Sequence, residues 1–184
     1  MAKILVIDSG HGGPDSGAVS PYGEEKFFNW DLAGRVLAEA KTAGLAAYLI
    51  PHTPETTEGP GRLAARVAFG RAKKADVFLC IHWNATSPNT VRGTECWYEE
   101  GDEKSVPLAQ AVGNAVAHQL ATIRRPDHPD NEDRLGRLGV LHGHLPKTVH
   151  FLLETGFITN EKDVDAYKQA PEHLAKVIVG VIAG

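Results

Sequence analysis

The sequence reads as an α/β fold, a mostly parallel twisted sheet with helices on both faces. Three observations support this. Short continuous apolar runs, Ile4-Leu5-Val6-Ile7 and Val77-Phe78-Leu79-Cys80-Ile81, are typical of strands covered on both faces. Between such runs lie segments with apolar residues three and four apart, the helical period. The two kinds alternate along the chain, which implies βαβ units and parallel neighbours.

The first strand runs into a Gly-rich turn. Phe28, Leu32, Val36 and Ala40 then recur four apart and stop at Gly44, a residue suited to the left-handed position that ends a helix. Ala46-Ala47-Tyr48-Leu49-Ile50 reads as a second strand closed by Pro51, and a Pro/Thr/Gly loop leads to a helix near Leu63–Lys73. After the Val77 strand, Gly93-Thr94-Glu95-Cys96-Trp97-Tyr98 reads as the next one. Leu108, Val112, Val116 and Leu120 mark a helix, and residues 148–154 form the last strand. Leu174, Val177, Ile178, Val181 and Ile182 give a closing helix the i, i+3, i+4, i+7, i+8 pattern. Residues 124–134, with mixed charges and two prolines, are expected to be a solvated surface connection. The competing reading makes them a rim that touches substrate.

Composition narrows the function. The 184 residues suit one domain spanning 1–184. With 19 Lys+Arg against 23 Asp+Glu, a formal charge of −4 argues against a nucleic-acid binder that neutralises phosphates. No apolar run approaches the roughly 18 residues needed to cross a bilayer, so membrane insertion is not expected. Two Cys cannot build a disulfide framework. The apolar run of four after Lys3 is a buried strand and not a secretory signal, so no signal peptide is expected. Nine His in a slightly acidic chain invite the question of which carry chemistry.

In parallel sheets, ligands bind beyond the carboxyl ends of the strands. There the first strand delivers His11, the Val77 strand His82 and the last strand Glu154, while Glu24 and Glu25 precede the first helix near the same edge. Two imidazoles and one carboxylate with an open position make a catalytic zinc site, and a second carboxylate is then available as general base. The residues alone leave open which carboxylate takes which part. Glycines around His11 are expected to leave room for substrate. The loop lacks the Lys-Ser/Thr of a phosphate-binding P-loop. Cys80 and His82 could pair as nucleophile and base, but Cys80 lies in an apolar run where a thiol is inert. Asp8 and Asn84 are candidate partners for the imidazoles. His142 and His144 are candidates for the cleft wall, and His150 is expected in the core. His52, His118, His128 and His173 are expected to be exposed or locally bonded.

Four spaced segments resemble the zinc-dependent N-acetylmuramoyl-L-alanine amidases of the amidase-3 type, which occur among autolysins and phage endolysins. They are Ile7-Asp8-Ser9-Gly10-His11-Gly12-Gly13, Glu25-Lys26-Phe27-Phe28-Asn29, Ile81-His82-Trp83-Asn84-Ala85 and Leu153-Glu154-Thr155-Gly156-Phe157-Ile158-Thr159-Asn160. The resemblance implies that His11, Glu25 and His82 hold Zn2+, that Glu154 is catalytic, and that the substrate is peptidoglycan. It implies hydrolysis of the amide joining N-acetylmuramic acid to L-alanine. Ser9, Cys80 and Trp83 depart from the family's usual Pro, Ser and Ala, and Trp83 is expected to pack against a sugar or peptide stem. The family's Thr-Arg after the second strand is replaced by Pro51-His52-Thr53. Cell-division members carry an autoinhibitory helical insert, for which the short path from Tyr98 to Ala109 leaves no room. A monomer acting on the cell wall is expected, as an endolysin made in a host cytoplasm or as an autolysin domain. The rival readings are a zinc peptidase acting on stem peptides and a non-catalytic wall-binding module.

Overall fold

A computed structural model describes residues 2–55, 63–133 and 136–184. The sheet strands are β1 (Ile4–Ser9), β4 (Ala46–Leu49), β5 (Val77–Asn84), β6 (Glu95–Tyr98), β7 (His128–Pro129) and β8 (Val149–Phe157), with a separate hairpin of β2 (Val19–Ser20) and β3 (Gly23–Glu24). The helices are α1 (Glu25–Thr42), α2 (Leu63–Lys73), α3 (Val106–Gln119), α4 (Glu161–Gln169) and α5 (Pro171–Ala183). The six-stranded sheet has the order β4-β1-β5-β8-β6-β7. Every pairing in it is parallel except β6 with β8.

The apolar runs are strands covered on both faces, as expected, because alternate side chains enter different layers. Leu5, Ile7, Leu79, Ile81, Phe151 and Leu153 pack into a core with α1, α3 and α5. Val6, Phe78, Cys80 and Leu152 point the other way, against Ile50, Val140 and Leu141. The expected stripes bury as helices require: Phe28, Leu32, Val36 and Ala40 on α1, and Leu174, Ile178 and Ile182 on α5. Gly44, at φ 81°, ends α1 as predicted, with its N–H donating to the Lys41 carbonyl.

Three features differ from expectation. Helix α4 was not anticipated. Asn160 caps it, its side chain accepting from the N–H groups of Lys162 and Asp163, and the acidic first turn suits the helix dipole. Residues 124–133 are not a bare connection, since Thr94 bridges to Arg124, β7 pairs with β6, and Asp130–Glu132 form a 3-10 turn. The antiparallel direction of β6 brings its first residue, Glu95, opposite Glu154 at the carboxyl end of β8. The expected Pro/Thr/Gly loop falls largely on 56–62, outside the described residues. No helix among the described residues is long and apolar enough to cross a membrane.

Two consequences matter for function. Strands β1, β5 and β8 are parallel neighbours, so their carboxyl ends share one edge. The chain also leaves β1 for β4 on one side and reaches β5 on the other, a switch of direction that opens a crevice in such sheets.

Candidate active site

The crevice is a cleft of about 970 Å3 lined by residues that include His11, Glu25, His82, Trp97, Arg125 and Glu154. His11 leaves β1 with φ at 61°, a left-handed conformation costly for a residue with a Cβ. The strain is held by side chains from elsewhere in the chain. His52 donates from Nε2 to the carbonyls of Ser9 (2.6 Å) and His11 (2.9 Å), and Arg66 donates to the same two at 3.3 and 3.0 Å. His52 is therefore buried and bracing, contrary to the expectation of an exposed or merely local group.

Glu25 is the first residue of α1 and is almost fully buried. Its Oε2 lies 3.1 Å from His11 Nε2 and its Oε1 2.9 Å from His82 Nδ1. Backbone N–H groups of Ala18 and Trp83 and the Asn29 amide also donate to this carboxylate. Burial opposes its ionisation, but the two imidazoles overcome that and hold it well below the usual carboxylate range. For His11, burial lowers the pKa and hydrogen bonds to Glu25 and Asp15 more than offset it, so the net shift is upward. Two glycines permit this closeness. A Cβ on Gly10 would lie 2.2 Å from His82 Nε2, and one on Gly17, at φ 63°, would lie 2.5 Å from His11 and 2.6 Å from Glu25. These two glycines thus make room for the donor residues themselves.

One ligand atom from each of His11, Glu25 and His82 lies within 4.8 Å of the others, the one such cluster among the described residues. Two imidazole nitrogens and a carboxylate oxygen are the donor chemistry of a catalytic zinc site with an open position, so the residues fit a divalent ion. Asp15 Oδ2 sits 2.9 Å from His11 Nδ1, which leaves Nε2 as the free donor and fixes the ring. Neither expected partner acts here. Asp8 pairs with Arg66 and accepts from the Cys80 thiol, and Asn84 donates to Glu95.

Glu154 stands directly across from His82 on the neighbouring strand. Its Oε2 is buried and makes no hydrogen bond among the described residues. Burial pushes its pKa well up, and the Glu25 and Glu95 charges push it further.

The other candidates lie elsewhere. His142 is held between Glu99 (2.8 Å) and Asp130 (2.5 Å), and His144 contacts the Val140 carbonyl. His150 is in the core as expected, paired with Glu99 at 3.0 Å. Cys80 is buried and its thiol pushed up by burial, which rules out a thiolate nucleophile there. Trp83 is only 2% exposed and packs edge-on against Phe28 and Tyr167. It is a core residue and not a surface for stacking a sugar. Trp97, which the sequence places only on a strand, is a second indole among the residues that line the cleft. Of residues 124–133, Arg125, Glu132 and Asp133 line the cleft, so the segment is its rim and not a detached connection. Sequence reasoning missed Asp15, His52, Arg66 and Arg125. Asp15 alone left a signal, in its place four residues after His11 on a Gly-rich loop.

Fold and site together define a class, an α/β domain with a candidate metal cradle at the carboxyl edge of its parallel strands. The sequence profile of the Amidase_3 family, N-acetylmuramoyl-L-alanine amidase, matches residues 5–184, and the chain belongs to that family. The N-acetylmuramoyl-L-alanine amidase LytC of Bacillus subtilis (strain 168) is 30% identical over 172 residues, covering 92% of this chain and 32% of LytC. The chain spans about a third of the length of the first curated relatives it matches. Among solved structures, the catalytic domain of CwlV, an N-acetylmuramoyl-L-alanine amidase from Bacillus (Paenibacillus) polymyxa, superposes with a TM-score of 0.82 at 28% identity, covering 98% of this chain and 96% of that one. The N-acetylmuramoyl-L-alanine amidase of Clostridium difficile 630 gives 0.82 at 26% identity, covering 98% and 95%.

Proposed function

We propose that residues 1–184 form the catalytic domain of a zinc-dependent N-acetylmuramoyl-L-alanine amidase that degrades peptidoglycan. The bond cut is the amide between N-acetylmuramic acid and the L-alanine of the peptide stem. Membership of the amidase family supports the reaction. The observation that carries the chemistry is the pairing of the His11–Glu25–His82 cluster with Glu154, a half-buried carboxylate whose Oε2 is buried and unbonded, in one cleft.

His11, Glu25 and His82 would hold the ion, with Asp15 keeping the His11 ring in place. Bound zinc supplies Lewis acidity that polarises the amide carbonyl and acidifies the attacking water. Glu154 takes a proton from that water and passes it to the departing alanine nitrogen. Its position suits both halves of the task, since its Oε2 has no hydrogen-bond partner among the described residues and is available to take up a proton and release it. Glu154 sits on β8, paired with β5 on one side and β6 on the other, at the wall of the cleft. The domain is taken to work as a monomer on the cell wall, as an endolysin or as an autolysin domain.

Glu154→Gln tests the assignment. The variant should retain one zinc per chain by metal analysis while cell-wall hydrolysis falls by at least about a hundredfold, the lower range of a general base's contribution. Near-normal turnover with zinc bound would remove Glu154 from its role. Absence of any bound divalent ion in protein prepared without chelator would remove the site.

A further inference from the structure

The cleft has a second built feature, the side chain of Arg125. Its backbone is stitched to the start of β6, with the Arg125 N–H donating to the Thr94 carbonyl at 2.9 Å and the Thr94 N–H to the Ile123 carbonyl at 2.8 Å. Its stem runs over Gly93, where a Cβ would lie 2.7 Å from Arg125 Cγ. Its guanidinium sits over the Phe157 ring, 5.4 Å from the centroid, and Nε donates to Glu95 Oε2 at 2.7 Å. Glu95 is itself fixed by the Asn84 amide at 2.9 Å. Every part of the side chain up to Nε is therefore held. The two terminal nitrogens make no hydrogen bond among the described residues, although an arginine brings five N–H donors.

Arg125 is also the only Lys or Arg among the described residues that line the cleft, whose other charged side chains include Asp15, Glu25, Glu132, Asp133 and Glu154. An anionic group entering is repelled along most of the wall and attracted at one point. That point lies at a definite remove from the reacting centre. His82, Glu154 and Glu95 stand across three adjacent strands in register, so the Glu95–Arg125 pair is about two strand spacings of roughly 4.8 Å from the metal cradle. Two to three residues of extended peptide, at about 3.3–3.6 Å each, cover that distance.

We propose that Arg125 is the residue that reads the peptide stem, its terminal nitrogens receiving a stem carboxylate two to three residue lengths from the scissile carbonyl. A planar fork with two free parallel N–H groups is matched to a carboxylate, and an amidated stem offers it one neutral acceptor in place of an anion. The inference rests on the proposed function for the identity of the ligand, and it deepens that reading by adding a specificity determinant.

The test is calorimetric binding of two stem peptides to the zinc-loaded protein, L-Ala-γ-D-Glu-L-Lys and its amidated counterpart L-Ala-D-isoGln-L-Lys, with wild type and Arg125→Gln compared. Hydrolysis of purified cell walls is followed separately. Wild type should bind the free carboxylate about tenfold tighter than the amide, the scale of one charge-assisted bond. R125Q should bind both peptides alike, within about twofold, at unchanged zinc content and melting temperature. Equal affinity of wild type for the two peptides, or an R125Q loss that is the same for both, would overturn the proposal even if walls are cleaved. Carboxylate-dependent binding abolished by R125Q would uphold it even if walls are not cleaved at the proposed bond, in which case the functional reading alone fails. A variant that misfolds is replaced by Arg125→Met, which keeps an apolar stem over Gly93 but loses the charge and should lose the discrimination.

Discussion

Three of the four proposed active-site side chains, His11, His82 and Glu154, depend on where parallel strands end, and Glu25 on where the first helix begins. Their alignment depends on residues that never face the substrate. Asp15 is the clearest case, because it occupies Nδ1 of His11 and so determines which nitrogen is presented. Asp15→Ala should weaken zinc binding about 10–100-fold with little change in melting temperature, since the Asp15 side chain is exposed. Competition with a chromophoric chelator reads this directly, and unchanged affinity would show that the ring is fixed by the glycines alone. His11, His82 and Glu154 were legible in the sequence because strand ends are legible. Asp15 was legible only through its spacing from His11, whereas His52 and Arg125 were not, for a physical reason. They sit on irregular segments whose course is set by contacts formed only after the sheet has assembled, as His52 shows by reaching across 41 residues to the His11 carbonyl.

Elements transmit the same logic to stability. The amino end of α4 is built around Asp163, which is fully buried and accepts from the N–H groups of Gly93 (2.9 Å) and Phe157 (3.1 Å), from Thr122 (2.6 Å) and from Arg92 (3.0 Å). One carboxylate thereby joins the end of β8 to the start of β6. Asp163→Ala strands those donors and should cost about 3–5 kcal/mol in urea unfolding; a loss under 1 kcal/mol would mean that water replaces the carboxylate freely. The Asn160 cap and acidic turn were in the sequence, but the helix has a single short apolar face and so lacks the long periodicity that marks α1 and α5.

On the opposite face of the sheet, His144 lies against Phe78 and stacks on His150, and burial lowers its pKa to about 4. His52 is lowered in the same sense, by burial and then by Arg66. An unfolded histidine binds a proton below about pH 6.5, whereas folded His144 stays neutral until about pH 4. Between those values the unfolded state holds the extra proton, so stability falls as pH falls. His144→Gln, which keeps a donor for the Val140 carbonyl, should flatten that decline between pH 6.5 and 4 when urea midpoints are compared across pH. An unchanged slope would exclude His144 as its source.

At the scale of the whole molecule, the α/β architecture follows from the alternation of apolar runs and helical stripes, and it needs no metal to be drawn. What alternation alone does not reveal is strand direction at the sheet's far side. The reversed β6 brings Glu95 opposite Glu154 at the carboxyl edge, and Trp97 and Arg125 into the lining of the cleft. The formal charge of −4 fits that design, because recognition is then local to the cleft and not spread over a basic surface. The proposed cradle, the proposed base and the rim are assigned to one reaction, and the products of that reaction test them together. Purified peptidoglycan treated with zinc-loaded protein and analysed by mass spectrometry should release intact stem peptides bearing a free L-alanine amino group. A chelator should abolish release and added zinc restore it. Fragments cut within the stem, or release that continues undiminished in chelator, would contradict a zinc-dependent amidase.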